Sequence, residues 1–73
     1  MSIVAVNTRN QLRGTIIAVH RGPVVSEVEI ETGAGLVSAL VTTSSVERLA
    51  LREGDAALAL FKAADVLIAK LDR

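Results

Sequence analysis

The stretch Val24-Val25-Ser26-Glu27-Val28-Glu29-Ile30-Glu31 alternates strictly between two kinds of side chain. In an extended chain, one face carries small and apolar residues at positions 24, 26, 28 and 30. The other face carries Val25 followed by three glutamates. A period of two with one charged face is typical of an antiparallel strand that is exposed on one side. The sequence therefore predicts an antiparallel sheet built around residues 24–31.

Short strands and tight turns are predicted on both sides of this segment. The β-branched run at 15–19 is bounded by Gly14 and by Arg21-Gly22-Pro23, which predicts a strand that ends in a turn. On the other side, Thr32-Gly33-Ala34-Gly35 predicts a tight connection, because glycine tolerates a positive φ. The strand predicted over 36–42 is apolar on both faces, and we expect both faces to be buried.

A short helix and further strands are predicted for the rest of the chain. Ser44 followed by Glu47 matches a capping box, and apolar residues then recur at helical spacing up to Ala50. After a turn, strands are predicted over 56–62 and 66–69.

These elements together predict a small all-β domain. Several short strands, glycine-rich turns and one short helix favour a closed or nearly closed antiparallel barrel, with residues 1–73 as a single domain. Closure of the sheet removes unpaired edges, which would otherwise aggregate. Met1–Val6 is predicted to add one more strand, to this barrel or to that of a neighbouring chain.

The composition predicts self-association. The chain has 73 residues, of which 51% are apolar, and Phe61 is its one aromatic residue. A domain this small has a marginal core, so it cannot hide so much aliphatic surface, and large exposed apolar patches mark interaction sites. The sequence has no cysteine, which excludes disulfides and thiolate metal sites. We therefore expect a homo-oligomer.

Charge and length argue against several partners. Eight acidic and eight basic residues give a formal net charge of zero, so no broad field attracts nucleic acid or anionic lipid. Barrels that bind single-stranded nucleic acid also need aromatic platforms, and Phe61 is the only aromatic residue. The apolar start, Met1–Val6, is too short for a signal peptide or a membrane span. We expect a cytoplasmic protein without nucleic-acid or membrane partners.

Catalytic and metal-binding constellations are not evident in the sequence. There is no Ser/His/Asp or Cys/His arrangement, no P-loop and no dinucleotide fingerprint, so we expect neither enzymatic activity nor an organic cofactor. One histidine makes a histidine-rich metal site unexpected. The glutamates at 27, 29 and 31 are expected to be solvated, because alternate strand positions do not wrap a calcium ion. No residue is expected to ligate a cation directly.

Two separate segments, Asn7-Thr8-Arg9-Asn10 and Lys62-Ala63, each combine one cation with small or hydrogen-bonding residues. A tetrahedral oxyanion has acceptor oxygens only, so its pocket must supply donors. Arginine offers a rigid fork to such oxygens, and Asn and Thr add neutral donors. Residues 1–26 contain no carboxylate to repel the ligand. Brought together, the segments form a pocket for a small, doubly charged oxyanion. The alternatives are a polar surface turn at Arg9 and an exposed strand-end lysine at Lys62.

A second candidate oxyanion site involves His20 and the predicted start of the helix. His20 lies at a strand end and can donate a hydrogen bond to an anion. Ser44 and Ser45 can offer hydroxyls at a helix N-terminus, where anions bind. The alternatives are a solvated turn histidine and simple helix capping by Ser44.

The order and spacing of these segments resemble the molybdenum-binding small proteins called molbindins or Mop proteins, whose module recurs as the TOBE domain of molybdate transporters and regulators. The N-terminal family motif, roughly Ser-Ala-Arg-Asn-Gln and then Gly, is matched at Arg9, Asn10, Gln11 and Gly14. The later motif, Lys-Ala-(Ser/Thr)-x-Val, is matched at Lys62, Ala63 and Val66. Two positions depart from the motifs: Asn7 replaces a common Ser, and Ala64 replaces a Ser or Thr.

The resemblance implies a single Mop domain with an OB-like barrel, assembled as a hexamer, a trimer of dimers that exchange strands. It implies intracellular storage of molybdate, with tungstate as a mimic, and thus a role in molybdenum homeostasis. The oxyanion sites are implied to lie between subunits, where one chain contributes Asn7, Thr8, Arg9 and Asn10 and another contributes Lys62 and Ala63. A second site near the threefold axes is implied for His20, Gly22 and Val24, with Ser45 as a further candidate.

Two other functions stay open from the sequence. The departures at Asn7 and Ala64 are compatible with a structural or regulatory interaction module that has no significant anion binding. A small barrel that binds nucleic acid is the third hypothesis, and the zero net charge argues against it.

Overall fold

The computed structural model of the chain describes residues 6–72 and contains one four-stranded antiparallel sheet. Its strands are β1 (Asn10–His20), β2 (Val25–Thr32), β3 (Gly35–Thr42) and β4 (Ala56–Phe61). A short helix, α1 (Thr43–Arg48), follows β3, and a single 3-10 turn (Ala63–Asp65) follows β4. The all-β class with one short helix is confirmed. The predicted strand over Met1–Val6 lies outside the described residues except for Val6, which is not in a strand.

The long strand β1 organises the sheet, whose order is β3-β2-β1-β4. The first half of β1, from Asn10 to Thr15, pairs with β4, and Gly14 to His20 pair with β2. The sheet curls into a half-barrel. Within residues 6–72, its edge strands β3 and β4 do not pair with each other, so the curled sheet is open on one side.

The alternating segment forms β2 with the predicted orientation. Ser26, Val28 and Ile30 are buried, whereas Glu27 and Glu29 are half-buried on the opposite face. The core of the described chain consists of five buried residues from β1, β2, α1 and β4: Ile16, Val28, Ile30, Val46 and Ala59. Because one face of β2 is buried, the alternation of its side chains fixes the register in which β2 pairs with its neighbours.

A β-bulge at Ile17 changes which side chains of β1 face the core. Ile16 pairs with Ile30 and Ala18 pairs with Glu29, so Ile17 has no partner in β2. One extra residue reverses the alternation of a strand. Val19 therefore packs against the core beside Ile16, although the two are three positions apart. His20 is turned to the outer face of the sheet, where its register partner is Glu27.

Helix α1 begins two residues earlier than predicted. The side chain of Thr42, not Ser44, accepts a hydrogen bond of 3.1 Å from the backbone N–H of Ser45. Thr42, Thr43 and Ser44 are all good N-cap residues, and Thr42 serves because β3 keeps the backbone extended as far as that residue. The helix also ends at Arg48 rather than Ala50, which adopts a positive φ of 52°.

Two predictions about apolar strands were wrong for the single chain. Strand β3 is an edge strand and is not buried on both faces, since Leu36 and Leu40 are exposed. Residues 66–69 do not form a strand, because the chain leaves the sheet after β4 and is irregular and exposed from Val66 to Asp72. Within the described residues, no helix has the length and apolar character that crossing a membrane requires.

Candidate functional site

The pairing of β1 with β4 brings the two predicted segments side by side. Asn10, the first residue of β1, pairs with Phe61, the last residue of β4. Because the strands are antiparallel, the chain before Asn10 and the chain after Phe61 leave the sheet at the same end. A hydrogen bond of 2.7 Å from Thr8 Oγ1 to the carbonyl oxygen of Phe61 ties these extensions together.

The two extensions enclose an open cavity of about 370 Å³. Two lining residues, Arg9 and Lys62, are cations, and no carboxylate is among the lining residues. Neither cation forms a salt bridge with another residue in the range 6–72. The lining residues are Asn7, Thr8, Arg9, Asn10, Lys62 and Ala63. The structure thus brings together all six residues of the first predicted set, within one chain. That oxyanion sites lie between subunits stays a prediction.

Local hydrogen bonds fix the polar segment that precedes β1. Thr8 Oγ1 accepts a hydrogen bond of 3.2 Å from the backbone N–H of Asn10, and Gln11 Nε2 donates one of 2.7 Å to the carbonyl oxygen of Thr8. The hydroxyl proton of Thr8 is used in its bond to Phe61, so it does not point to the cavity. The donors left for a ligand are the Arg9 guanidinium, the Lys62 ammonium and the amides of Asn7 and Asn10.

On the other side of the cavity, Lys62 is the last extended residue before the 3-10 turn Ala63–Asp65. The carbonyl oxygen of Lys62 accepts a hydrogen bond of 3.0 Å from the backbone N–H of Asp65, so Asp65 helps to form this turn. Ala63 and Ala64 are the first two residues of this turn. Backbone N–H groups in the first turn of a helix have no hydrogen-bond acceptor within the helix. Their small side chains leave this part of the backbone open to a ligand.

The second predicted set divides into two groups. Gly22 and Val24 contact the start of α1, because their carbonyl oxygens accept hydrogen bonds of 2.8 Å from the hydroxyl and the N–H of Thr43. Ser45 lies two residues further along α1, and its hydroxyl accepts hydrogen bonds from Thr42 and Arg48. These polar groups already have partners inside the protein, which explains their positions without a ligand.

His20 lies on the outer face of the sheet, where it faces carboxylates. Its Nε2 lies 3.1 Å from Oε2 of Glu29, and Glu27 is its register partner on β2. Two carboxylates repel an oxyanion, so we leave His20 out of the proposed oxyanion site. Sequence reasoning missed this cluster because the bulge at Ile17 lies in an apolar run, Ile16 to Val19, in which either alternation is plausible.

Comparison with known proteins shows which family this chain resembles. The chain matches the TOBE domain family over residues 7–68. It is 36% identical over 66 residues to molybdenum-pterin-binding protein 3 of Clostridium pasteurianum, a match that covers 89% of this chain and 97% of that protein. It is also 44% identical over 62 residues to the molybdenum transport protein ModE of Azotobacter vinelandii, which covers 84% of this chain but 23% of ModE.

Solved structures show the same fold. MopII of Clostridium pasteurianum superposes with a TM-score of 0.85 at 33% identity and covers 90% of this chain and 100% of MopII. A molybdate binding protein of Sporomusa ovata gives a TM-score of 0.86 at 28% identity and covers 92% of this chain and 100% of that protein. The sequence motifs, the half-barrel and these matches together establish that the chain belongs to the TOBE domain family, as one of its small molbindin (Mop) proteins.

Proposed function

We propose that this chain binds molybdate, or tungstate as its mimic, in the cavity between Arg9 and Lys62, and that it serves in intracellular molybdenum storage and homeostasis. The observation that supports this most is the convergence of both cations on one cavity whose lining includes no carboxylate. The proposed role is binding rather than catalysis, without an organic cofactor, in the cytoplasm.

The chemistry of the lining suits a tetrahedral dianion. The ligand carries two negative charges and four acceptor oxygens. The cavity offers two positive charges, and no carboxylate lines it. The Arg9 guanidinium can hold two oxygens with its fork, and Lys62 acts as a compact point charge. The amides of Asn7 and Asn10 supply neutral donors for the remaining oxygens. A small inorganic oxyanion has no ring or apolar surface to bind, and no aromatic residue lines the cavity.

The named relatives support this choice of ligand. The Clostridium pasteurianum protein is described as molybdenum-pterin-binding, the Azotobacter vinelandii protein as a molybdenum transport protein, and the Sporomusa ovata protein as molybdate binding. The shared element among the three is molybdenum. We therefore propose molybdate in preference to other small oxyanions of the same charge.

We also propose that the functional unit is a homo-oligomer, a hexamer built as a trimer of dimers that exchange strands. The apolar side chains of Leu67 and Ile68 are each 94% exposed in the single chain, and that of Leu71 is 75% exposed. In the described chain, the half-barrel leaves the outer edge of β3 and the outer edge of β4 unpaired, and such an edge readily pairs with another chain. If neighbouring chains also contribute to the oxyanion site, bound anion stabilises the assembly by mass action.

Isothermal titration calorimetry with molybdate tests the ligand and its site together. Arg9→Ala and Lys62→Ala each remove a charge-assisted hydrogen bond worth roughly 1.5–3 kcal/mol, so each is expected to weaken binding by about tenfold or more. Arg13→Ala is the matched control, because Arg13 lies on the same strand as Asn10 but does not line the cavity. Equal losses in all three variants, or no heat of binding for the wild-type protein at moderate salt, would contradict the proposal.

A further inference from the structure

We infer that His20, Glu27 and Glu29 form a binding site for a divalent transition-metal ion. Each residue offers one ligand atom, and these atoms lie within 4.8 Å of one another. The site is separate from the oxyanion cavity, since His20 ends β1 and Asn10 begins it. At about 3.3 Å per residue, the two ends of this strand are roughly 30 Å apart along the chain.

The β-bulge at Ile17 creates this cluster. Without the extra residue, the side chain of His20 would point to the same face as Ile16, towards the core. With it, His20 lies directly opposite Glu27, and Ala18 lies opposite Glu29. Residues opposite each other on antiparallel strands have neighbouring side chains on one face, and long side chains also reach the diagonal position. Bulges commonly redirect a side chain at a functional site. Ala18 has too small a side chain to block the space between His20 and Glu29.

The charges on this face favour a cation. Glu27 and Glu29 are both half-buried and point to the same side of β2, and neighbouring like charges on one face of a sheet are unfavourable. The nearest arginine in sequence, Arg21, pairs instead with Glu47 of α1, at 3.5 Å. Among residues 6–72, Glu27 has no salt bridge with a basic side chain. A bound divalent ion would neutralise both carboxylates at once.

The geometry and the ligand types indicate which ions fit. One imidazole nitrogen and two carboxylate oxygens are ligands of Zn²⁺, at about 2.0–2.2 Å from the metal, which places tetrahedral ligand atoms about 3.4 Å apart. His20 Nε2 and Glu29 Oε2 are 3.1 Å apart already. The three ligand atoms lie within 4.8 Å of one another, so the cluster has to contract to hold the ion. Ca²⁺ and Mg²⁺ prefer all-oxygen ligands, so an imidazole disfavours them. Three protein ligands leave a coordination position for water or for a group from another molecule.

Titration of the protein with Zn²⁺, observed by calorimetry and by NMR of the His20 ring, tests the inference. His20 is the only histidine of the chain, so protein without a histidine tag gives one unambiguous set of ring signals. We expect one Zn²⁺ per chain and a change in the His20 signals that saturates at this ratio. His20→Gln and Glu29→Gln should each reduce the Zn²⁺ affinity by at least about tenfold. Even the loss of a residue that only hydrogen-bonds to a metal ligand lowers metal affinity by about that much.

Glu31→Gln is the matched control. Glu31 lies on the outer face of β2 next to this cluster but supplies none of its three ligand atoms, so the variant should retain nearly wild-type Zn²⁺ affinity. Equal weakening in Glu31→Gln would show diffuse attraction to an acidic face and would overturn the inference. The inference would also be overturned if millimolar Zn²⁺ did not shift the His20 signals. It would equally be overturned if molybdate shifted them instead, because His20 would then belong to an oxyanion site. Arg9→Ala should leave Zn²⁺ binding unchanged.

Discussion

The hydroxyl of Thr8 donates a hydrogen bond of 2.7 Å to the carbonyl oxygen of Phe61, although the two residues are 53 positions apart in the chain. This bond joins the segment that carries Arg9 to the strand end that precedes Lys62. The sheet sets the approximate position of each segment, and the Thr8 hydroxyl fixes their relative position where the cavity forms. We therefore expect Thr8 to act as a positioning residue, and the cations beside it to be the ligand contacts.

Replacement of Thr8 by valine keeps the shape of the side chain and removes this hydrogen bond. We expect a loss of stability of about 0.5–1.5 kcal/mol, and weaker molybdate binding because Arg9 and Lys62 lose their alignment. Denaturant unfolding and molybdate calorimetry measure the two effects. Thr15→Val is the control, since Thr15 is an exposed residue of β1, the strand that follows Thr8, and should tolerate the change. Unchanged molybdate affinity in Thr8→Val would refute the positioning role.

Gly14 lies where β1 is paired on both sides, with Thr32 of β2 and Ala57 of β4. A Cβ atom at this position would clash with the carbonyl oxygen of Glu31, so the backbone of β2 would have to move. Gly14→Ala is expected to cost about 1–3 kcal/mol, as overpacking does elsewhere. Gly33→Ala is the control, because an added Cβ there meets no atom within 4 Å. Thermal unfolding of both variants measures the difference, and equal stability would contradict the close approach.

Thr43 connects the start of α1 to the buried face of β2. Its hydroxyl donates to the carbonyl oxygen of Gly22 at 2.8 Å and lies 2.7 Å from the hydroxyl of Ser26, which is 2% exposed. Thr43→Val leaves the Ser26 hydroxyl buried without a partner, at a cost of about 1–3 kcal/mol. The double variant Thr43→Val/Ser26→Ala removes the orphaned group and should recover part of that loss. A double variant less stable than the single one, in denaturant unfolding, would contradict this explanation.

The exposed apolar segment from Val66 to Leu71 is expected to lie in the interface between chains. Ile68→Glu places a charge on a side chain that is 94% exposed in the single chain and that we expect to be buried between chains. The variant should shift towards smaller species in size-exclusion chromatography with light scattering, because an unpaired buried charge is costly. Arg52→Glu is the control, since Arg52 lies in an exposed turn. An unchanged mass for Ile68→Glu would exclude this segment from the interface.

The sequence predicts the parts of the fold that local patterns determine. The alternation of Ser26, Val28 and Ile30 with glutamates predicts the orientation of β2, because only one choice buries the apolar face. The chemistry of the donors around Arg9 and Lys62, together with the resemblance to Mop proteins, predicts that they share one site. The structure adds that antiparallel pairing of Asn10 with Phe61 is what brings the two segments together.

The parts that were missed depend on contacts distant in sequence. In the apolar run from Ile16 to Val19, the position of a bulge is decided by pairing with β2, so the orientation of His20 was not predictable. The N-cap at Thr42 depends on where β3 ends. The apolar residues at 66–69 predicted a strand. An apolar composition indicates burial but does not show which surface covers the segment, and no surface within the described residues of the single chain covers it.

A crystal structure of the protein grown with tungstate is the most direct test of the central claim, because the anomalous scattering of tungsten locates the anion. We predict one strong anomalous peak per chain in the cavity, within hydrogen-bonding distance of the Arg9 guanidinium and the Lys62 ammonium. Crystals grown without tungstate provide the control for the peak. Tungstate that binds elsewhere and leaves this cavity vacant, with Arg9 and Lys62 both accessible in the crystal, would contradict the account.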